Sequence, residues 1–561
     1  MYRFLNLICC FIYLNACAQT KSKGLVLNDA AYDILPMKAS LTRSIYDAIP
    51  AQASLKAYCP TAGNQTPYST CVGWATSYGA RTILWAKQQG ITEITTITEH
   101  AFSPDFIYRS IVPETKDNRC EAGTRLDLAL NFMKENGDVL KKDFYAACPS
   151  IVPNHLLDVA DDFKIQDFAR LFGLSDEADT KINTTKKSLA EGNPVTIGML
   201  VTSSFNALDG ELWSPTEDLK QHEGGHALCL IGYDDNKYGG AFEILNSWGT
   251  QWGNKGFFWV TYKDFAYWTV YGFELINNIK PAKPEPHPSV VVNPTPTPEP
   301  LPEPKPAPPT EPHPSVIVNP TPTPEPKPTT EPTPLVVIPT PVPTPNIPKI
   351  GYDFSGNLRF SLSNNSEMTA HIQEVRGLYV DDAEKQDESP TPKVNPSNFE
   401  ADTNFETGKF IAYRMDKAYT EGTRFRLFLR NNEPAYVYAI ALDNTNQAVV
   451  LFPHKSTISP ALNYKNNEVA LPSEDKYIVM DNIKGTDIFC LLYAKEPLDI
   501  KSICQNLEKE TGTFFQRLHK TMQDKLVDRQ YLRYYKDEIR FEVQSYGSGT
   551  VVPIVVEIPH N

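Results

Sequence analysis

The chain has 561 residues, too many for a single hydrophobic core, so roughly three or four compact units are expected. Hydrophobic residues make up 41%, which suits globular domains, but 47 prolines are more than packed domains hold. A net charge of −14 disfavours broad attraction to phosphate backbones or anionic lipid, so nucleic acid is not expected as a partner.

The N-terminus comes first. Arg3 precedes the apolar run Phe4 to Leu14, and Ala16-Cys17-Ala18 supplies a small-residue exit. That run is too short for a stable membrane anchor, and residues 1–18 read as a secretory signal peptide. Cleavage is expected either after Ala18 or before Cys17, if Leu14-Asn15-Ala16-Cys17 is a bacterial lipobox that leaves Cys17 as a lipid anchor. The protein is then extracellular, periplasmic or an outer-membrane lipoprotein. The alternative is a cytosolic protein with a buried first helix. Seven cysteines follow the signal: Cys59, Cys71, Cys120, Cys148, Cys229, Cys490 and Cys504. An odd number in an exported chain implies an intermolecular bridge or one free thiol, for which Cys71 is the candidate. Cys120 with Cys148 and Cys490 with Cys504 are the locally plausible pairs.

After a short extension, 19–45, residues 46–279 mix two rhythms. Val72, Ala75, Gly79, Thr82, Ile83 and Ala86 recur at three- and four-residue steps, predicting a helix that Gly90 ends, and a second helix is expected over Leu126 to Glu135. Short apolar runs then follow, Val195 to Val201, Ala227 to Tyr233, Ala241 to Leu245 and Gly256 to Tyr262, separated by Gly, Asn and Asp as strands are. Helices before strands predict an α+β domain of two segregated halves. Residues 280–349 hold a repeat in which Glu285 to Pro300 returns as Glu311 to Pro326 with one change, Val291 to Ile317. Alternating prolines cannot donate to helix or sheet, so an extended, semi-stiff spacer is expected, with a ligand for a proline-binding module as the alternative.

From 350 to 561 the pattern is strand-rich, with runs such as Asn357 to Leu362, Arg424 to Leu429, Ala435 to Leu442, Asp487 to Tyr493 and Val551 to Ile558. Two helices, near Lys501 to Glu510 and Thr513 to Leu526, interrupt them. The expectation is a β-sandwich-like accessory domain with a helical insertion, plus a polar loop or second linker over 381–402. Tyr436, Tyr438 and Phe452 could form a carbohydrate- or protein-binding face, although core positions suit them better. His371, His454 and His519 are scattered and support no metal site.

The chemistry lies in the first domain. Cys71 stands where a turn-rich segment, Asn64-Gln65-Thr66-Pro67-Tyr68-Ser69-Thr70, passes into a helix, whose unpaired N–H groups favour thiolate. Downstream, Gly225-His226-Ala227 opens one strand and Asn246-Ser247-Trp248-Gly249 closes another, so one sheet can bring them together. Cys, His and Asn make a nucleophile, a base and an orienting amide. A rival motif, His222-Glu223-Gly224-Gly225-His226, spells a zinc-peptidase pattern that needs a helix, which paired glycines oppose, so neither metal nor cofactor is expected.

These motifs together resemble the papain family of cysteine peptidases: Gln65 six residues before Cys71, His226-Ala227 leading an apolar strand with Gly232-Tyr233, and Asn246-Ser247-Trp248-Gly249-Thr250-Gln251-Trp252-Gly253. The C-terminal Glu433 to Tyr438 and Val449 to Pro453 resemble a bacterial domain of unknown function often attached to peptidases. The first resemblance implies a two-lobed papain-like fold and a protein or peptide substrate. It makes Cys71 the attacking sulfur, His226 the proton carrier, Asn246 its holder, and Gln65 with the Cys71 N–H the oxyanion donors. Trp248 would shield the His226–Asn246 bond and, with Gly123 and Gly225, complete the substrate-binding set, Gly123 exposing backbone for a substrate strand to pair with. Departures are Val72 for an aromatic, Tyr68 for a disulfide Cys and Gly225 for Asp or Asn. The interval between Ala18 and residue 45 is too short for the family's long inhibitory propeptide, so any latency must come from elsewhere. The alternative function is a non-catalytic protein that keeps the peptidase fold to grip peptides. A surface partner for the C-terminal domain is a further expectation.

Overall fold

The protein is described by a computed structural model that covers residues 23–112, 116–117, 119–145, 151–277, 353–373, 405–407, 410–443, 445–544 and 549–561. The signal segment, the proline repeat, the polar stretch 381–402 and Cys148 lie outside them. Among the described residues no helix is long and apolar enough to cross a membrane.

The expected first helix forms and starts at Cys71. An α turn, Cys71–Gly73, runs into a π-helical stretch, Trp74–Arg81, and then into an α-helix, Thr82–Gln89. Gly90 ends it at φ 67°, a left-handed conformation that glycine adopts without a side-chain clash. Every residue from Cys71 to Ala86 is buried, so this is a central helix and not a surface one. Helix Pro104–Ile111, begun by the Ser103 side chain capping the Phe106 N–H, packs beside it with Leu126–Glu135.

The other half is an eight-stranded sheet: β1 Gln52–Ser54, β2 Asp167–Arg170, β3 Val195–Val201, β4 Leu212–Trp213, β5 Gly224–Asp234, β6 Ala241–Leu245, β7 Phe257–Thr261 and β8 Thr269–Ile276. The order is β2-β8-β3-β5-β6-β7-β4, with β1 added to β5. All pairs are antiparallel except β4 with β7. β5 is the spine. It is buried from Gly225 to Tyr233, and its partners β3 and β6 place Met199 opposite His226 and Leu245 opposite Cys229. The segregated α+β arrangement follows the expectation, while β2, β8 and helix Ala178–Ala190 carried no recognised sequence signal.

The C-terminal region is a sandwich of one eight-stranded and one seven-stranded sheet. Phe360, Phe425 and Leu427 of the first meet Val437, Phe489, Leu491 and Ile554 of the second in one core. Helices Ile500–Lys509 and Phe514–Met522 cover the outer side of the second sheet through Ile503, Leu507 and Leu518. Tyr436, Tyr438 and Phe452 are all buried, so they are core and form no exposed binding face. The pairing of Cys490 with Cys504 is also corrected: both are free, buried thiols, one inside a strand and one on the covering helix. Cys120 is disulfide-bonded.

Residues 23–47 touch both regions. Helix Asp29–Asp33, capped by the Asn28 side chain, inserts Tyr32 into the core of the first region, where its ring stacks on Tyr271 at 4.5 Å. The Tyr32 hydroxyl donates to the Phe172 carbonyl at 2.6 Å. Met37 then bridges Arg170 of β2 on one side and Ile458 of the sandwich on the other, and Ala39 and Leu41 join the sandwich core.

Candidate active site

The predicted nucleophile sits at the first position of the buried helix, and its surroundings decide its chemistry. Thr70 provides no side-chain cap there. Cys71 Sγ accepts two backbone hydrogen bonds instead, from Ala227 N–H at 3.4 Å and from Gly24 N–H at 3.3 Å. Ala227 follows His226 on β5, so the strand delivers the imidazole to the sulfur's neighbourhood. His226 Nε2 is 2.8 Å from Asn246 Oδ1, at the end of β6. Since an amide oxygen only accepts, Nε2 carries the hydrogen and Nδ1 keeps its lone pair. The Trp248 ring stacks on His226 at 4.9 Å and 29°, buried with it. Trp248 therefore covers the imidazole and does not line the cleft, which corrects its place in the substrate-binding set.

Gln65 is reached through the loop that precedes the helix. Its backbone N–H donates to Ser247 O at 2.8 Å, and Asn64 bridges Trp248, so this loop is stitched to the Asn246-Ser247-Trp248 corner. The Ser247 hydroxyl donates to Gln65 Oε1 at 2.6 Å, and Gln65 Nε2 donates to Tyr68 O at 2.9 Å. Ser247 thus fixes which end of the amide is oxygen, a role the motif alone did not reveal.

The structure places Cys71, His226, Asn246 and Gln65 in one cluster, but two expectations fail in this state. No hydrogen bond joins Sγ to the imidazole, and His226 Nδ1 is buried without a partner. The helix N-terminus also does not yield a thiolate: burial pushes the Cys71 thiol up to about 11, against the lowering by the N–H groups of Ala227 and Gly24. Burial pulls His226 down to about 4, only partly offset by Asn246. Both partners are neutral.

The cause is visible. Lys23 to Val26 lie across the site as a strand. Leu25 pairs with Gly225, donating its N–H to Gly225 O at 3.2 Å, and with Thr124 on the opposite side. Thr124 N–H donates to Gly24 O, and Val26 N–H donates to Thr124 O, each at 2.8 Å. The pairing backbone is thus that of Thr124 and not of Gly123. A Cβ on Gly123 would stand 2.6 Å from Gly24 O, so glycine is needed for the close approach. At Gly225 a Cβ would meet Leu25 O at 3.0 Å, a tighter contact than usual that a small shift of Leu25 would relieve. Lys23 closes the strand's end with an ion pair to Glu223 at 2.6 Å. The group facing Sγ is an N–H and not a carbonyl carbon, so the sulfur is an acceptor here and cannot attack. The zinc-pattern residues fall on an extended approach at His222 and on strand β5 at His226, so the helix that motif requires does not form.

Comparison with known proteins gives matches to parts of the chain. Residues 111–269 match the model of the papain family cysteine protease, a stretch that holds His226 and Asn246 and begins after Cys71. Residues 418–497 match a domain of unknown function, DUF4384. An uncharacterized peptidase C1-like protein of Acanthamoeba polyphaga mimivirus is 36% identical over 92 residues, 16% of this chain and 29% of that protein. Cysteine proteinase 3 of Entamoeba histolytica is 30% identical over 152 residues, 26% of this chain and 44% of that protein. The matches span less than half of either relative. Among solved structures, xylellain, a cysteine protease from Xylella fastidiosa, aligns over 46% of this chain and 97% of its own with a TM-score of 0.38 and 21% identity. The first described region has the papain-like fold, with a β-rich region C-terminal to it.

Proposed function

We propose that this chain is an exported cysteine peptidase, held in the described state by its own residues 23–26 in the cleft. The observation that carries the reading is the convergence of a helix-start sulfur, an imidazole whose Nε2 is fixed by an amide, and a second amide oriented by a hydroxyl. Once the strand leaves, water reaches the site and the penalty on charge falls. The Cys71 proton can then pass to His226 Nδ1, where no other group competes for the lone pair. The thiolate attacks a peptide carbonyl carbon, and the electron pair moves to the oxygen, which the Cys71 N–H and the Gln65 amide receive. The tetrahedral species collapses as His226 returns its proton to the leaving amine. Water, deprotonated by the same ring, then hydrolyses the thioester. Gly225 O and the Thr124 backbone, which grip residues 24–26 in this state, would hold an extended substrate. The reading also keeps the export signal at 1–18, with Cys17 as its lipid-bearing form.

Substituting Cys71→Ala in a strand-released protein is expected to lower peptide hydrolysis by roughly 10⁴-fold or more with the melting temperature preserved. Hydrolysis that persists in this variant would remove the thiol mechanism. Substituting Ser247→Ala removes the bond to Gln65 Oε1 and leaves the amide held at Nε2 by Tyr68 O. It is expected to lower kcat/KM about 10-fold, mostly through kcat, with little change in Cys71 alkylation. The neutral thiol and unpaired Nδ1 of the described state suit a peptide-gripping protein equally well. That second reading prevails if the released protein alkylates readily at Cys71 and yet hydrolyses no peptide.

A further inference from the structure

We infer that the C-terminal domain is the lock that keeps residues 23–26 in the cleft, an inference that rests on the proposed latency of the site. The strand is continuous with a segment that the sandwich holds in three ways. Met37 donates its N–H to Thr457 O at 2.8 Å and accepts from Ser459 N–H at 2.8 Å. Thr42 N–H donates to Glu468 O at 2.9 Å. Ala39 and Leu41, only 7% and 8% exposed, are part of the sandwich's own hydrophobic core.

Between these two ends lies a shared buried carboxylate. Glu274 on β8 is fully buried, and Lys38 from the N-terminal segment sits 3.5 Å from its Oε1. Asn193 of the first region donates to it at 3.1 Å, and Asn463 and Tyr464 of the sandwich donate to it as well. Lys38 also bonds Asn463 and lies 3.5 Å from the centre of the Tyr464 ring. Three parts of the chain thus meet at one charge that none can leave cheaply, because removing a partner strands a buried ion. The same strand, β8, carries Tyr271, which stacks on Tyr32 and donates to Asp29 at 2.6 Å. β8 therefore ties the sandwich's grip on Lys38 to the cleft strand's inner anchor, Tyr32. Loss of the sandwich contacts leaves the strand held by its own pairing in the cleft and by the inner anchor.

The test uses the full chain and reads the rate of iodoacetamide modification at Cys71. Two changes break the outer anchor without touching the cleft. Lys38→Met leaves Glu274 its Asn193, Asn463 and Tyr464 donors but takes away its cation, so the melting temperature and circular dichroism are read beside the rate to show that both regions stay folded. A recognition sequence for a specific protease, inserted after the exposed Ile34, lets the connection be cut in the folded protein. Both are expected to raise modification at least 10-fold at nanomolar protein, the cut because the released strand loses its tethered concentration and Lys38→Met because the outer anchor loosens. Tyr32→Ala, which breaks the inner anchor, serves as the positive control. If Tyr32→Ala speeds modification while Lys38→Met and the cut do not, the first region holds the strand unaided and the lock is overturned. It is equally overturned if none of the three changes modification. If modification rises but no peptide is hydrolysed, the lock stands and the peptidase reading falls.

Discussion

Replacing Tyr32 by alanine is expected to accelerate thiol modification of Cys71 by about 100-fold or more while leaving the cleft residues untouched. Of the side chains of Lys23 to Asp33, Leu25 and Tyr32 both enter the first region's core, and Tyr32 is the larger and more deeply buried, at 2% exposure. Its ring stacks on Tyr271 and meets Phe273 edge-on at 5.2 Å, and its hydroxyl donates to the Phe172 carbonyl. Truncating a buried aromatic costs about 3–5 kcal/mol. In this segment the loss falls on docking and not on the sheet, since Tyr271 and Phe273 remain in β8 with neighbours from β2 and β3. Once undocked, Gly24 no longer shields Sγ, and the thiol's value falls from about 11 toward the ordinary cysteine range near 8.5. That change alone multiplies the thiolate fraction at neutral pH by about 300. Tyr32→Phe keeps the stacking and loses the two bonds of the hydroxyl, donated to Phe172 O and accepted from the Gly272 N–H at 3.2 Å, so a rise of about 10-fold is expected. Equal rates for wild type and Tyr32→Ala would show that the strand leaves Cys71 accessible.

Acid is expected to open the cleft. His226 titrates near 4 with the strand in place because it is buried, whereas in open, hydrated surroundings it returns to its ordinary 6.5 or higher. The docked state therefore binds the His226 proton less tightly than the open state. Stability of docking is complete above about 6.5 and is lost as pH falls from there through 4. The lost docking energy is on the order of 3 kcal/mol at the acid end. Cys71 acts in the opposite sense. Its docked value of about 11 lies above the open one, so docking is also weakened as pH rises past about 8.5. Docking is thus firmest between these limits. Amide exchange of residues 24–26, followed from pH 4 to 9, should show greatest protection near pH 7. A monotonic decline toward alkali would contradict the assignment of His226 as the buried proton acceptor.

The cluster was legible because chemistry of this kind is written in side-chain types. Cys71, His226, Asn246 and Gln65 are recognisable by identity and order, and the strand pattern of β3, β5 and β6 was enough to bring His226 and Asn246 together. Trp248 was misplaced because an aromatic beside a site can face either the ligand or the imidazole, and only packing decides. Ser247 passed unnoticed because a serine hydroxyl signals nothing until its acceptor is known. The blocking strand was invisible for a different reason. Gly24, Leu25 and Val26 are held by main-chain bonds to Gly225 and Thr124, and backbone pairing leaves no signature beyond a short apolar run. Helix Ala178–Ala190 is rich in Thr and Lys, and few of its side chains are buried, so its periodicity is faint. β8 is nearly all buried and broken by Gly272, whose missing side chain admits the Phe172 ring. Buried strands lack the alternation by which half-exposed ones are read.

The placement of Ala39 and Leu41 in the core of the sandwich also bears on the order in which the molecule is made. They leave the ribosome ahead of every sandwich strand that receives them, and 520 residues, 42 through 561, remain to be translated after Leu41. At about 5–20 residues per second that interval is roughly half a minute to two minutes. The first region, whose last strand ends at Ile276, is complete with 285 of those residues still to be made, so for roughly a quarter of a minute to one minute its fold would exist on the nascent polypeptide with the seat for its outer fastening unbuilt.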